Sequence, residues 1–276
     1  MNKKIIIIVI LTVVFLVLVL LYLSNISNFK SGLNMYFFNS GKADSCIIYN
    51  SDFAVLIDTG EQELGDTILD YLEENNIQKL NYLIITHFDK DHVGSAYKII
   101  KKIDIDNVVQ SNSPKDSKVY NKYIQALEDK SITPITLREN LNFDFGDVKF
   151  EFNPPKEEEY LNKPSNNSSL ITSIQYLNKS FIFMGDAEDD RIKEFIKENN
   201  NTYDFMKFPY HGNYQESLQS LLENTKPKYT VITSSDEESE DNQTLSLLNK
   251  YSVRTYLTRN GSILLTTDGN SIKISQ

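Results

Sequence analysis

The sequence holds a single cysteine, Cys46, and three histidines, His87, His92 and His211, among 276 residues. One thiol forms no internal disulfide and builds no cysteine-rich zinc site, which excludes a disulfide scaffold and a zinc ribbon. Cys46 itself lies in a short apolar run and reads as a small buried residue without a chemical role. Positive charge is scarce as well: 28 Lys and Arg against 38 Asp and Glu leave a formal net charge of −10. An acidic surface repels nucleic-acid backbones and anionic headgroups, which argues against tight non-specific DNA binding. It does not argue against a nuclease whose metals supply positive charge locally. The remaining composition is ordinary for a globular chain, long enough for one large domain or two small ones.

One long apolar run is present. Residues 5–23 carry a polar group only at Thr12 and Tyr22. At about 1.5 Å of rise per residue, a helix of that length spans most of a bilayer's hydrocarbon layer. Neither face of the run is polar, which argues against a buried core helix. It is long for a cleaved signal, and Ser24, Asn25, Ile26, Ser27 and Asn28 offer no small-x-small cleavage site. No cysteine follows it, which excludes a lipoprotein. The expectation is therefore an uncleaved transmembrane anchor over 5–23. Lys3 and Lys4 precede it and Lys30 follows it, which puts residues 1–4 in the cytoplasm and the main domain outside the cell. Residues 24–34 are expected to form a polar stalk and 35–276 the domain.

Beyond the stalk, strand and helix signals alternate. Short apolar runs bounded by turn residues predict strands at 35–38, 46–49, 53–57, 80–85, 107–110, 148–152, 170–177, 181–184, 205–208, 229–233, 254–257 and 262–266. Helical spacing predicts helices at 64–75, 97–103, 117–129, 187–198, 215–223 and 243–250. Residues 154–165 read as a polar loop, and the acidic run 234–241 as a solvated one. Strands interleaved with helices imply an α/β layered domain.

Each histidine follows a predicted strand. His87, Asp89, Asp91 and His92 put four possible metal ligands within six residues. Buried without partners, such a set is costly; gathered on a divalent cation, it is stabilised. Phe88 and Val93 anchor this loop to the core, and Gly94 is expected to allow a tight turn into the next helix. Asp186 follows Gly185 at the end of another apolar strand, where capping of the helix at 187–198 is a competing role. His211, between Tyr210 and Gly212, again follows a strand.

In this order the three pieces resemble the metallo-β-lactamase superfamily, with its His-x-His-x-Asp-His loop, later Gly-Asp and C-terminal His. The resemblance spans residues 35–276 and extends to the hydrolase domain of ComEC-type competence proteins. Asn39 to Asp44, Leu56 to Gly60, Thr86 to Gly94, Asn166 to Leu170, Met184 to Asp186, Pro209 to Gly212 and Arg259 to Ile263 carry that closer similarity. It implies the α/β class as an αββα four-layer sandwich, preceded here by one N-terminal transmembrane helix. It also implies two divalent ions, zinc or manganese. His87 and Asp89 would hold one, Asp91, His92 and His211 the other, and Asp186 would bridge. Asp91 would also orient the metal-activated water, which makes it the catalytic residue.

Four departures stand out. Asp89 replaces the second His, no His lies between His92 and His211, Ala43 replaces a Gly, and Tyr210 replaces a His. The oxygen-rich set tilts the metal toward manganese. Lys42 and Tyr210 read as plain surface residues rather than substrate contacts. The activity implied is that of a membrane-anchored extracellular phosphodiesterase or nuclease, acting on a phosphodiester or nucleic acid, with no protein partner expected. A hydrolase of another surface substrate, such as a phosphocholine ester or a lactam, and a non-catalytic metal-binding module remain as alternatives.

Overall fold

The computed structural model describes residues 11–17, 19, 32–157 and 160–276. The first half supplies β1 (Leu33–Phe37), β2 (Cys46–Tyr49), β3 (Ala54–Ile57), β4 (Lys79–Ile85), β5 (Asp104–Gln110) and β6 (Ile135–Thr136). Between them run α1 (Leu64–Glu74), α2 (Lys90–Val93), α3 (Ala96–Lys102) and α4 (Lys118–Asp129). The second half supplies β7 (Leu141–Phe145), β8 (Val148–Asn153), β9 (Ile171–Tyr176), β10 (Lys179–Phe183), β11 (Phe205–Lys207), β12 (Tyr229–Ile232) and β13 (Arg254–Leu257). Its helices are α5 (Pro164–Asn167), α6 (Asp189–Glu198), α7 (Leu218–Thr225) and α8 (Asn242–Lys250). The closing hairpin, β14 (Ile263–Thr267) and β15 (Ile272–Ser275), returns to the first sheet beside β1.

Two sheets result, one of eight strands in the order β15-β14-β1-β2-β3-β4-β5-β6 and one of seven in the order β13-β12-β11-β10-β9-β8-β7. Residues alternate faces along a strand, so every strand covered on both sides needs two apolar neighbours. Three apolar layers meet that demand. Leu33, Met35, Phe37 and Val55 of the first sheet meet Phe150, Phe181, Phe205 and Val231 of the second in the central layer. The opposite face of the first sheet packs on α1, α3 and α4 through Ile68, Ile99 and Tyr123. The opposite face of the second packs on α6, α7 and α8 through Ile192, Leu221 and Leu248. The order of layers is therefore helix, sheet, sheet, helix, as the resemblance implied. Ring stacks bridge the sheets, with Tyr82 on Phe143 at 3.9 Å and Phe53 on Phe145 at 4.4 Å between centroids.

Within each sheet a parallel block positions the site. β3, β4 and β5 run parallel, as do β10, β11, β12 and β13. The carboxyl ends of both blocks meet at one rim of the sandwich, the usual place for function in parallel sheets.

The elements differ from the sequence reading in several places. The expected stalk over 24–34 overlaps β1, because Leu33 is fully buried opposite Thr267 of β14. Helix α6 starts at Asp189 with Glu188 at its cap, so Asp186 is not a helix cap. Short helix α5 lies at the edge of the predicted loop 154–165, and α2 precedes the helix expected after Gly94. Strands β6, β7 and β15 have no counterpart among the predicted strands. Gly94 has right-handed helical angles (φ −56°) and makes no special turn. It is needed for space, since a Cβ there would stand 2.3 Å from the Lys90 carbonyl and 2.6 Å from that of Gly60.

The expected span 5–23 lies largely outside the described residues. Residues 11–17 are helical, with Leu11, Val14 and Phe15 exposed. Among the described residues no helix is long and apolar enough to cross a membrane.

Behind the rim, the fully buried Arg191 of α6 ties the second sheet together. Its Nε donates to Ser169 O at 3.1 Å, its Nη2 to Asn153 O and Oδ1, and its Nη1 to Glu194 Oε1 at 2.6 Å. Arg191→Met would leave these acceptors buried without donors and should destabilise the domain by about 3 kcal/mol in urea unfolding. A loss under about 1 kcal/mol would show that water replaces the guanidinium without difficulty.

Candidate metal centre

The site is assembled from loops that leave the carboxyl ends of the parallel strands. The segment after β3 brings Asp58, the segment after β4 brings Thr86 to His92, the turn after β10 brings Gly185 and Asp186, and the turn after β11 brings His211. Gly185 has φ +54°, and a Cβ there would stand 3.0 Å from Ser169, so glycine lets Asp186 enter at this angle without strain.

A layer of buried polar groups stands behind the imidazoles. Asp58 accepts from Thr86 N at 2.8 Å and Thr86 Oγ1 at 2.6 Å, and its Oδ2 lies 2.8 Å from His92 Nδ1. His92 therefore donates through Nδ1 and turns Nε2 toward the rim. His211 Nδ1 faces the Thr233 carbonyl at 3.2 Å and hydroxyl at 3.1 Å, so its Nε2 also points into the site. His87 Nδ1 lies 3.2 Å from Thr86 Oγ1 and 3.4 Å from Ser169 Oγ. Deeper still, Asp44 accepts from Lys207 Nζ and from Thr233 Oγ1, and Lys207 is itself buried. Asp44, Asp58 and His92 form a second close set of possible ligands. Their atoms are already engaged by Lys207, Thr233 and Thr86, so this set supports the centre rather than forming another.

The front layer converges on Asp186. Its Oδ2 lies 3.0 Å from His211 Nε2 and 3.3 Å from His92 Nε2, and Asp91 Oδ2 lies 3.5 Å from His211 Nε2. Ligand atoms sharing one cation at bonds of roughly 2.1 Å stand roughly 3 to 3.5 Å apart, which these three pairs match, and all four residues offer atoms within 4.8 Å of one another. Four buried atoms, His87 Nε2, His92 Nε2, His211 Nε2 and Asp186 Oδ1, make no hydrogen bond of good geometry, His92 and His211 facing Asp186 Oδ2 only as ion pairs. Buried polar atoms are rarely left this way, and these belong to side chains that pack together, which fits a cation.

Electrostatics agree with that fit. Burial opposes charge on His92, but Asp186 and Asp58 overcome it and hold the imidazole well above its usual range. For His211, burial is likewise outweighed by Asp186 and Asp91, which push it up to about 9. Burial and the neighbouring His92 lower His87. Burial would raise Asp186, yet His211 and His92 hold it well below the carboxylate range. Without metal, protons on the imidazoles neutralise the carboxylates as a cation would.

Of the six ligands expected from sequence, Asp91, His92, Asp186 and His211 come within 4.8 Å of one another. His87 packs beside them, its ring 4.0 Å from that of His92. Asp89 does not join: its Oδ1 takes Lys115 Nζ at 2.5 Å and the Ser165 hydroxyl. Asp58, Asp44, Lys207 and Lys115 have no role in the sequence reading. Asp58 carried a signal, since it follows four buried strand residues just as Asp186 follows a buried strand.

Asp58→Asn should weaken divalent-ion affinity about 10- to 100-fold, because it loses the group that orients His92. Equilibrium dialysis reads this directly, and unchanged affinity would remove Asp58 from the centre. Because His211 holds a proton below pH about 9, it must release that proton to bind metal, so affinity should rise as pH rises toward that value. Calorimetric titration at pH 7 in buffers of different ionisation enthalpy should give different heats, and identical heats would contradict proton release.

Comparison with known proteins adds to this geometry. The Metallo-beta-lactamase superfamily profile matches residues 41–234. The chain is 27% identical over 210 residues to ComE operon protein 3 of Bacillus subtilis, covering 72% of this chain and 26% of that protein. It is 22% identical over 199 residues to Recombination protein 2 of Haemophilus influenzae, covering 70% and 23% respectively. The chain thus spans about a quarter of the length of these relatives. The metallo-beta-lactamase fold protein YhfI from Bacillus subtilis superposes with a TM-score of 0.58 at 9% identity, covering 88% of this chain and 100% of that one. The helix–sheet–sheet–helix layers, the rim of imidazoles and carboxylates, and a profile match over most of the chain agree: this protein belongs to the metallo-beta-lactamase superfamily.

Proposed function

We propose that this chain is a metal-dependent phosphodiesterase, anchored in the cell membrane with its main domain outside. The observation that carries the reading is the convergence of His92 Nε2, His211 Nε2, Asp186 and Asp91 within 4.8 Å. These residues would hold a divalent ion, manganese or zinc, with His87 available for a second. Such ions supply Lewis acidity and lower the pKa of water. The protein's own contribution is to aim and restrain. Asp58 and Thr233 fix the two imidazoles, and Asp91, partly open to solvent, orients the attacking water.

Two features favour a phosphodiester over a lactam. Asp91 and Asp186 supply half of the ligand set, oxygen donors that suit hard cations and, through them, phosphoryl oxygens. The relative named for recombination points toward nucleic acid as the phosphodiester. The net charge of −10 supports local rather than diffuse grip on such a substrate. The apolar run 5–23 supports membrane anchoring, as do the exposed apolar side chains of residues 11–17. Lys3 and Lys4 before that run, against Lys30 after it, support an outside domain.

The test uses the full chain in detergent with manganese or zinc. Bis-p-nitrophenyl phosphate and DNA should be hydrolysed, and a chelator should stop the reaction until metal is restored. Asp186→Ala and His211→Ala should each lower turnover by more than about 100-fold, with the circular dichroism of the folded domain retained. Turnover of nitrocefin in place of the phosphodiesters would overturn the substrate assignment.

A further inference from the structure

Asp89 is held by a cation that the chain itself provides. Lys115 lies in the loop between β5 and α4, 26 positions from Asp89 in sequence. Its Nζ sits 2.5 Å from Asp89 Oδ1 and 3.5 Å from Ser165 Oγ, and the Ser165 hydroxyl also donates to Asp89 Oδ1. A carboxylate oxygen offers two lone-pair directions, and both are taken here.

The loop carrying Lys115 is fixed at both ends. Buried Ser111 donates to Ser168 O at 2.7 Å, and Ser117 caps α4 by accepting from Tyr120 N at 3.1 Å. The ammonium is thus delivered from one wall of the site and met by Ser165 from the other. Its side chain keeps 41% of its exposure, and its ammonium is held by the Asp89 and Ser165 side chains, so an open route to solvent lies beside it.

The same place has the makings of a second cation position. His87 Nε2 and Asp186 Oδ1 are buried and unpartnered, and Asp89 is the neighbouring carboxylate. Yet among the described residues neither His87 nor Asp89 joins two other ligand atoms within 4.8 Å. A divalent ion entering there would find Asp89 Oδ1 already in use, and would face the like charge of the ammonium at either oxygen.

We propose that Lys115, seated on Asp89, takes the place of a second divalent ion, so that the resting protein binds one ion tightly at Asp91, His92, Asp186 and His211. The second position is latent and opens when the ammonium leaves. This rests on the metal-centre reading above and adds the stoichiometry to it. A lysine ammonium suits the role because it is a compact charge on a flexible stem.

The experiment is manganese binding by the full chain in detergent micelles, read by equilibrium dialysis and by electron paramagnetic resonance. Wild type should bind one manganese per chain with the spectrum of an isolated ion. Lys115→Ala should bind two, with an exchange-coupled spectrum, and Lys115→Arg should stay at one. Adding Asp89→Asn to Lys115→Ala should return the count to one. Two ions of comparable affinity in wild type, or one ion in Lys115→Ala, would overturn the proposal and leave the metal centre intact. Failure of wild type to bind any manganese or zinc would overturn both.

Discussion

Asp58 is almost fully buried at the end of β3, and everything in front of it depends on how its charge is satisfied. A carboxylate is stable in such surroundings only when its oxygens are occupied by donors. The parallel pairing of β3 with β4, Ile57 opposite Ile84, brings Thr86 to it. The backbone N–H of Asp58 bonds to Ile84 O at 2.8 Å and locks that register. Once Thr86 and His92 fill its acceptors, the His92 ring has one orientation left. A slip of one residue between these strands would turn Thr86 away and uncouple the imidazole from its support. Packing, register and ligand geometry are thus one constraint at this point.

How much was legible beforehand follows from the range of each signal. The layered α/β class came from alternating strand and helix patterns, which are local. The His87 to His92 loop was visible because four ligand types crowd a short stretch after an apolar strand. Asp186 was ambiguous between cap and ligand, and only the start of α6 at Asp189 resolves it. Strand β7 was readable in principle, since Leu141, Phe143 and Phe145 alternate with polar residues before a Gly-Asp turn. Two-residue β6 is too short for any periodicity. Lys207, Lys115 and Arg191 were not legible. A lone lysine or arginine in a mixed segment carries no pattern, and its meaning comes entirely from partners placed opposite it by the fold.

The turn that presents His211 shows the cost of this geometry. Tyr210 and His211 both have left-handed backbone angles, φ 44° and 52°, and Gly212 follows at 77°. Each non-glycine residue there is disfavoured by about 1–2 kcal/mol. The surroundings impose the conformation: Tyr210 N donates to Gly185 O at 3.3 Å, and Asp241 N donates to Gly212 O at 3.1 Å. The acidic segment expected to be merely solvated therefore helps hold the ligand turn in place. Its Glu240, buried and paired with Arg259 at 3.0 Å, packs against Gly212.

The ligands come from both sheets, Asp91 and His92 from one and Asp186 and His211 from the other. The buried pair beneath them, Lys207 and Asp44, already joins positions 163 apart in the chain. A cation gripped at this rim would be a reversible staple between two halves that share no covalent link nearby, available only to the folded chain. The sandwich would then be fastened at its two ends by unlike means, coordination at the rim and ring stacks such as Phe53 on Phe145 where β3 begins, with the central apolar layer between them. Losing the ion would slacken the first fastening and spare the second.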